Sequence, residues 1–146
     1  MSDIAQQIVA EALTWVGTPY RHQGARKGVG CDCLGLVRGV WRAVYGREPE
    51  APCAYAMDWA EAGGSDDFLA AARRHCREKA VAELRPGDLL LFRWKPHFPA
   101  KHAAIVVTPE RIVHAYQGHA VLVSPLAAQW RRRIAGVFEF SQTEQD

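Results

Sequence analysis

"GCDCLGLVRGVW" occupies residues 30–41, and its reading decides what the rest of the chain has to supply. Leu34, Val37, Val40, Trp41, Val44 and Tyr45 recur at helical spacing and Gly46 ends the run, so the stretch opens an amphipathic helix. Asp32 is a favoured N-cap type, which places Cys33 at about the first helical position. Unpaired N–H groups and the positive end of the helix dipole favour a thiolate there, so a lowered thiol pKa is expected for Cys33. The charge of Asp32 opposes this, and a nearby imidazolium is needed to balance it. Three readings of the cysteine pair are open: two small buried hydrophobes, a zinc clip of Cys31, Cys33 and a histidine such as His22, or a nucleophile. The C-x-C spacing is shorter than usual for zinc, and no second cysteine pair follows.

Toward the N-terminus, Ile4, Ile8, Val9, Ala12, Leu13 and Val16 predict a helix over 3–16, capped by Ser2 or Asp3 and ended by Gly17 and Pro19. "TPYRHQGARKGVG" is then a glycine-rich, cationic loop. Toward the C-terminus the chain is irregular from Arg47 to Asp58. "SDDFLAAARRHCREKA" reads as a surface helix with Ser65 as N-cap and two acids in its first turn. Cys53, in the proline-rich loop, and Cys76, in that helix, are assigned structural roles. Beyond Pro86-Gly87 come "DLLLF", "HAAIVV", "RIVHAY", "AVLVS" and "IAGVFEF", short β-rich runs separated by turn residues. Helices followed by about five antiparallel strands indicate the α+β class.

"HAAIVVTPERIVHAY" carries His102 and His114 on what reads as one β-hairpin. Side chains alternate faces along a strand, so the two rings share a face only if the connecting loop has an odd number of residues. A three-residue loop, Thr108-Pro109-Glu110, pairs Val107 with Arg111 and makes the histidines diagonal neighbours. One imidazole could then take a thiol proton while the other orients it; the alternative is two unrelated strand histidines. His75, His97 and His119 read as solvated.

The chain has 146 residues, the length of one domain with a sizeable core, and is 49% hydrophobic and 23% charged. A formal charge of +2 does not point to nucleic acid, and Arg131-Arg132-Arg133 reads as a solvated loop or strand end. Asp3, Gln6, Gln7 and Glu11 interrupt the first apolar run, so neither a signal peptide nor a membrane segment is expected. Synthesis in the cytosol follows, with free thiols rather than disulfides.

Together, "TPYRHQG", "GCDCLGLV", "RPGDLLLF", "KHAAIVV" and "RIVHAY", in this order, resemble the NlpC family of papain-like bacterial cell-wall cysteine peptidases. The resemblance runs from about residue 12 to the last strand. It implies a papain-like fold with the nucleophile at a helix N-terminus, Cys33 as nucleophile, His102 as general base and His114 as the orienting third member. It implies Tyr20 beside the cysteine and Asp32 at the substrate; His22, by its place in the loop before Cys33, could line the same cleft. It also implies a peptidoglycan stem-peptide substrate cut after D-γ-glutamyl, and no cofactor or metal. "CDCLGLVRGVW" is most similar to the phage-type branch found with prophage and gene-transfer-agent tails, which implies action at the cell wall and tail proteins as partners. The chain departs from the family pattern at Leu34 (usually Ser), at His22-Gln23-Gly24 (usually Tyr-Gly-Gly) and at Ala104 (usually Gly).

Overall fold

The computed structural model describes residues 2–48 and 66–141. Helix α1 (Asp3–Leu13) is capped by Ser2, whose hydroxyl accepts the Ala5 N–H, and buries Ile4, Ile8 and Ala12. It stops one turn before the expected end. Thr14 to Gly17 form a turn in which Gly17 adopts a left-handed φ of 92° and Trp15 enters the core. The following loop carries two short paired strands, β1 (Ala25–Arg26) and β2 (Gly30–Cys31). Helix α2 (Cys33–Tyr45) begins where the sequence places it. Asp32 caps it through the Gly35 N–H, and Gly46, at φ 86°, ends it.

The 65–80 segment differs from expectation. Helix α3 (Asp67–His75) is followed at once by strand β3 (Cys76–Lys79). Ser65, the expected cap, lies outside the described residues, as does Cys53; Asp66 stands at the N-cap position. Charged, helix-favouring Arg77, Glu78 and Lys79 become strand because they pair with the final strand and lie at the sheet edge, where charge is tolerated. The expected runs form β4 (Leu89–Phe92), β5 (His102–Thr108), β6 (Arg111–Ala115), β7 (Val121–Pro125) and β8 (Ile134–Phe140), with the short helix α4 (Ala128–Arg131) before β8. Among the described residues the main antiparallel sheet therefore has six strands rather than about five, in the order β3-β8-β4-β5-β6-β7.

Both faces of this sheet are covered. On one, α1, α2 and α3 pack Ile8, Trp15, Leu36, Val40 and Leu69 against Leu89, Leu91, Ala103 and Ile105. On the other, Leu90, Phe92, Ala104, Val106 and Ile112 form a smaller cluster closed by Leu126 and Trp130. Two-sided burial explains why β4 and β5 are apolar at successive positions instead of alternating. No helix among the described residues is long and apolar enough to cross a membrane.

Helix α2 approaches the chain entering β1 so closely that a Cβ at Gly35 would overlap the carbonyl of Gly24. Intrinsic propensity favours alanine over glycine in a helix by about 1 kcal/mol. Here the sign is expected to invert: Gly35→Ala should lower the thermal midpoint, because the obstacle is main chain and cannot swing aside. A calorimetric scan showing a raised midpoint would refute this close approach.

Candidate active site

Cys33 is the first residue of α2, and its thiol donates a hydrogen bond to the Lys101 carbonyl at 3.3 Å, one residue before His102. It faces the helix-covered side of the sheet and packs with Ala103 and Ile105. His102 and His114 stand on the opposite side, with Phe92, Ala104 and Ile112. A 2.7 Å hydrogen bond joins His102 Nε2 to His114 Nδ1, and His114 Nε2 lies 2.8 Å from Ser124 Oγ. The His102 ring is stacked against Trp94 and Trp130, with centroids 5.6 and 5.4 Å away, and His114 meets Trp130 edge-on. These aromatic walls hold both rings in one orientation. The structure thus joins the two histidines directly and sets the sulfur against the main chain beside His102; its hydrogen bond goes to that main chain rather than to an imidazole.

The hairpin reaches this arrangement by an unexpected route. Thr108 pairs with Arg111, so the loop is the two residues Pro109 and Glu110, a length that by itself would separate the histidines. A β-bulge at Val107 inserts one unpaired residue, and Val106 faces Ile112. The extra residue reverses the parity again and returns His102 and His114 to one face. The shared face holds, although the predicted pairing of Val107 with Arg111 does not.

Electrostatics correct a second expectation. Burial, and then the charge of Asp32, push the Cys33 thiol up to about 12. The N–H groups of Ala103, Leu34 and Cys33 pull it down, as a helix N-terminus should, but burial outweighs them. Burial also holds His102 well below its ordinary value, reinforced by the neighbouring His114 and then Lys101. His114 falls to about 4, from burial and then His119. The resting site is a neutral thiol beside two neutral imidazoles. Alkylation of Cys33 by iodoacetamide, followed by peptide mass spectrometry, should therefore be slow at neutral pH and still climbing above pH 9. A plateau reached below pH 7 would mean a preformed thiolate–imidazolium pair instead.

Tyr20 bridges to Cys31, is half-buried and feels the charge of Cys33. Its hydroxyl is pushed up to about 12 by burial, then by Cys33 and Asp32, so it stays a proton donor. Asp32 is buried and bonded to backbone through both oxygens, Oδ1 to the Gly35 N–H and Oδ2 to the Gln23 N–H at 2.7 Å. The second bond holds Gln23 at a left-handed φ of 63° and folds the 22–24 loop over the start of α2. His22 Nδ1 lies 4.0 Å from Asp32 Oδ2. Cys31, Cys33 and Cys76 are free thiols, and among the described residues no three His, Cys, Asp or Glu side chains converge as metal ligands. His119 is exposed in the turn before β7, as expected, and stacks on Tyr116, whereas His75 is half-buried and meets Trp41 edge-on.

Sequence reasoning did not single out Ser124, Trp94 or Trp130. Ser124 faces Ile112 across β6–β7 and so shares its face with His114; a polar residue at that register was the available signal.

The curated γ-DL-glutamyl hydrolase of Bacillus subtilis (strain 168) is 25% identical over 134 residues, which is 91% of this chain but only 29% of that protein. The NlpC/p60 domain of the peptidoglycan hydrolase SagA superposes with a TM-score of 0.67 at 28% identity, covering 93% of this chain and 98% of that one. RipD from Mycobacterium tuberculosis, a non-catalytic NlpC/p60 domain protein, shares the fold at a TM-score of 0.63 and 16% identity, covering 95% and 98%. The NlpC/P60 family pattern matches residues 17–139, and with the α+β papain-like architecture this places the chain in the NlpC/P60 family.

Proposed function

We propose that the protein is a cysteine peptidase or amidase that hydrolyses the D-γ-glutamyl–diamino acid bond of peptidoglycan stem peptides, with Cys33, His102 and His114 as its triad. The observation that carries this reading is the 2.7 Å bond between the two imidazoles, placed where β5 starts and α2 presents its cysteine. The γ-glutamyl specificity in the name of the Bacillus subtilis relative supports the bond type.

His102 Nε2 is taken up by His114, so Nδ1 is the nitrogen left to receive the thiol proton, and the transfer requires the sulfur to turn from the Lys101 carbonyl around the start of β5 to the face that carries the imidazoles. Because the thiol is neutral at rest, it leaves the Lys101 carbonyl and loses its proton as sulfur attacks the amide carbon. The oxyanion is met by the Cys33 N–H and the Tyr20 hydroxyl. His102 returns the proton to the departing amine, leaving a thioester. Water, deprotonated by the same imidazole, releases the glutamyl carboxylate and restores the thiol. Asp32 serves this site by fixing the helix start and the 22–24 loop; His22 lines the cleft beside it. No cofactor or metal takes part in these steps. We further propose a phage-type member that acts at the wall as part of a tail.

One observation favours a second reading, a wall-binding protein without turnover: the sulfur rests on a carbonyl with its thiol pushed up. Mass spectrometry of muropeptides after incubation with the wild type decides between them. Stem peptides cut between D-glutamate and the diamino acid establish the peptidase; intact muropeptides that are nevertheless retained by the protein establish the alternative.

A further inference from the structure

The hydrogen-bond chain from His102 does not end at His114. We propose that Ser124 is a fourth, positioning residue of the site, whose hydroxyl accepts the His114 Nε2 proton and so fixes the tautomer of both rings. This assignment rests on His102 acting as the base.

The bookkeeping of protons leads there directly. Both rings are neutral, so each carries one N–H. For His102 Nδ1 to accept a thiol proton it must be bare, which puts the His102 hydrogen on Nε2. That hydrogen is donated across the 2.7 Å contact, so His114 Nδ1 is the acceptor and is bare as well. The His114 hydrogen must then lie on Nε2, which faces Ser124 Oγ at 2.8 Å. A buried imidazole N–H without an acceptor is costly, and the hydroxyl is the acceptor that this direction needs. In the reverse direction His114 Nδ1–H donates to His102 Nε2, the His102 hydrogen moves to Nδ1, and the base is lost.

The fold places this acceptor reliably. Ser124 faces Ile112, and His114 faces Leu122, in the same β6–β7 register, so serine and histidine are diagonal neighbours on one face. Tyr116 and Trp130 flank the His114 ring and prevent it from turning to another acceptor.

Long-range proton–nitrogen NMR of imidazole-labelled protein reads the tautomers without requiring activity. In the wild type, His102 and His114 should both be Nε2–H. In Ser124→Ala, His114 should show a mixture with Nδ1–H, and kcat on a γ-D-glutamyl-diaminopimelate peptide should fall about five- to twentyfold with KM little changed. Ser124→Thr, which keeps the hydroxyl and suits a strand, should restore both readouts to within about twofold. A wild-type His114 in the Nδ1–H form overturns the assignment, as does Ser124→Ala with unaltered tautomers, whatever its activity. Wild-type protein without turnover but with both rings Nε2–H refutes the peptidase reading alone and leaves the role of Ser124 standing.

Discussion

Cys33→Ala is expected to abolish cleavage of a γ-D-glutamyl-diaminopimelate peptide, by at least about 10^3-fold in kcat, while leaving the fold intact. Loss of the nucleophile removes the covalent route entirely, and what survives in such enzymes is the modest rate supplied by binding and oxyanion donors. The side chain is small and lies at a helix start, so its removal leaves only a minor cavity. Cys31→Ala is the matched control. That thiol is fully buried on β2 and pushed up to about 12 by burial and then Asp32, and it takes no part in the proton path. Most activity should persist in Cys31→Ala, measured by product formation in the same assay. Equal loss in the two variants would mean that the nucleophile has been misassigned.

The second large effect is on stability, at the edge of the sheet. Lys79 Nζ lies 2.8 Å from Asp88 Oδ2 and 3.2 Å from Glu139 Oε1, and the Lys79 and Asp88 side chains are only 3% and 5% exposed. Removing one partner of a buried ion pair typically costs about 3–5 kcal/mol, since the other charge is left uncompensated. Lys79→Met should therefore lose stability of that order in a denaturant titration, a large share of a typical domain's total. The sign of the pH dependence follows from Asp88. Burial already raises its carboxyl above the ordinary value, more than Lys79 and the Arg85 N–H lower it. Without Lys79 it rises further, so the folded variant holds a proton that the unfolded chain has released. Stability is then retained below the unfolded carboxyl's range and lost as pH rises through the folded one. The Lys79→Met deficit should shrink on acidification, and adding Asp88→Asn should recover part of it at neutral pH. A deficit that is the same at pH 4 and pH 7 would show that the buried carboxyl is not its source.

Lys79 also shows where reading from sequence stops. Arg77, Glu78 and Lys79 continue a helical pattern begun at Asp67, and nothing local tells the chain to extend after His75. The instruction comes from β8, more than fifty residues away, which offers a ladder to pair with. The hairpin bulge is of the same kind. Thr108-Pro109-Glu110 predicts a loop of odd length, yet the chain makes a two-residue turn and restores parity at Val107, because packing on both faces fixes the registers of Ile105 and Val113.

Local chemistry by itself determined the start of α2 at Cys33 under an Asp32 cap, its end at Gly46, the five later strands and the hairpin that carries both histidines. Those features depend on neighbours within a turn or a hairpin, which lie together in sequence. Tertiary structure alone decided the sixth strand, the acceptor role of Ser124 and the protonation of the cysteine. A helix N-terminus favours a thiolate through a few N–H groups, but the degree of burial is set by every element packed above it, and here desolvation is the larger effect.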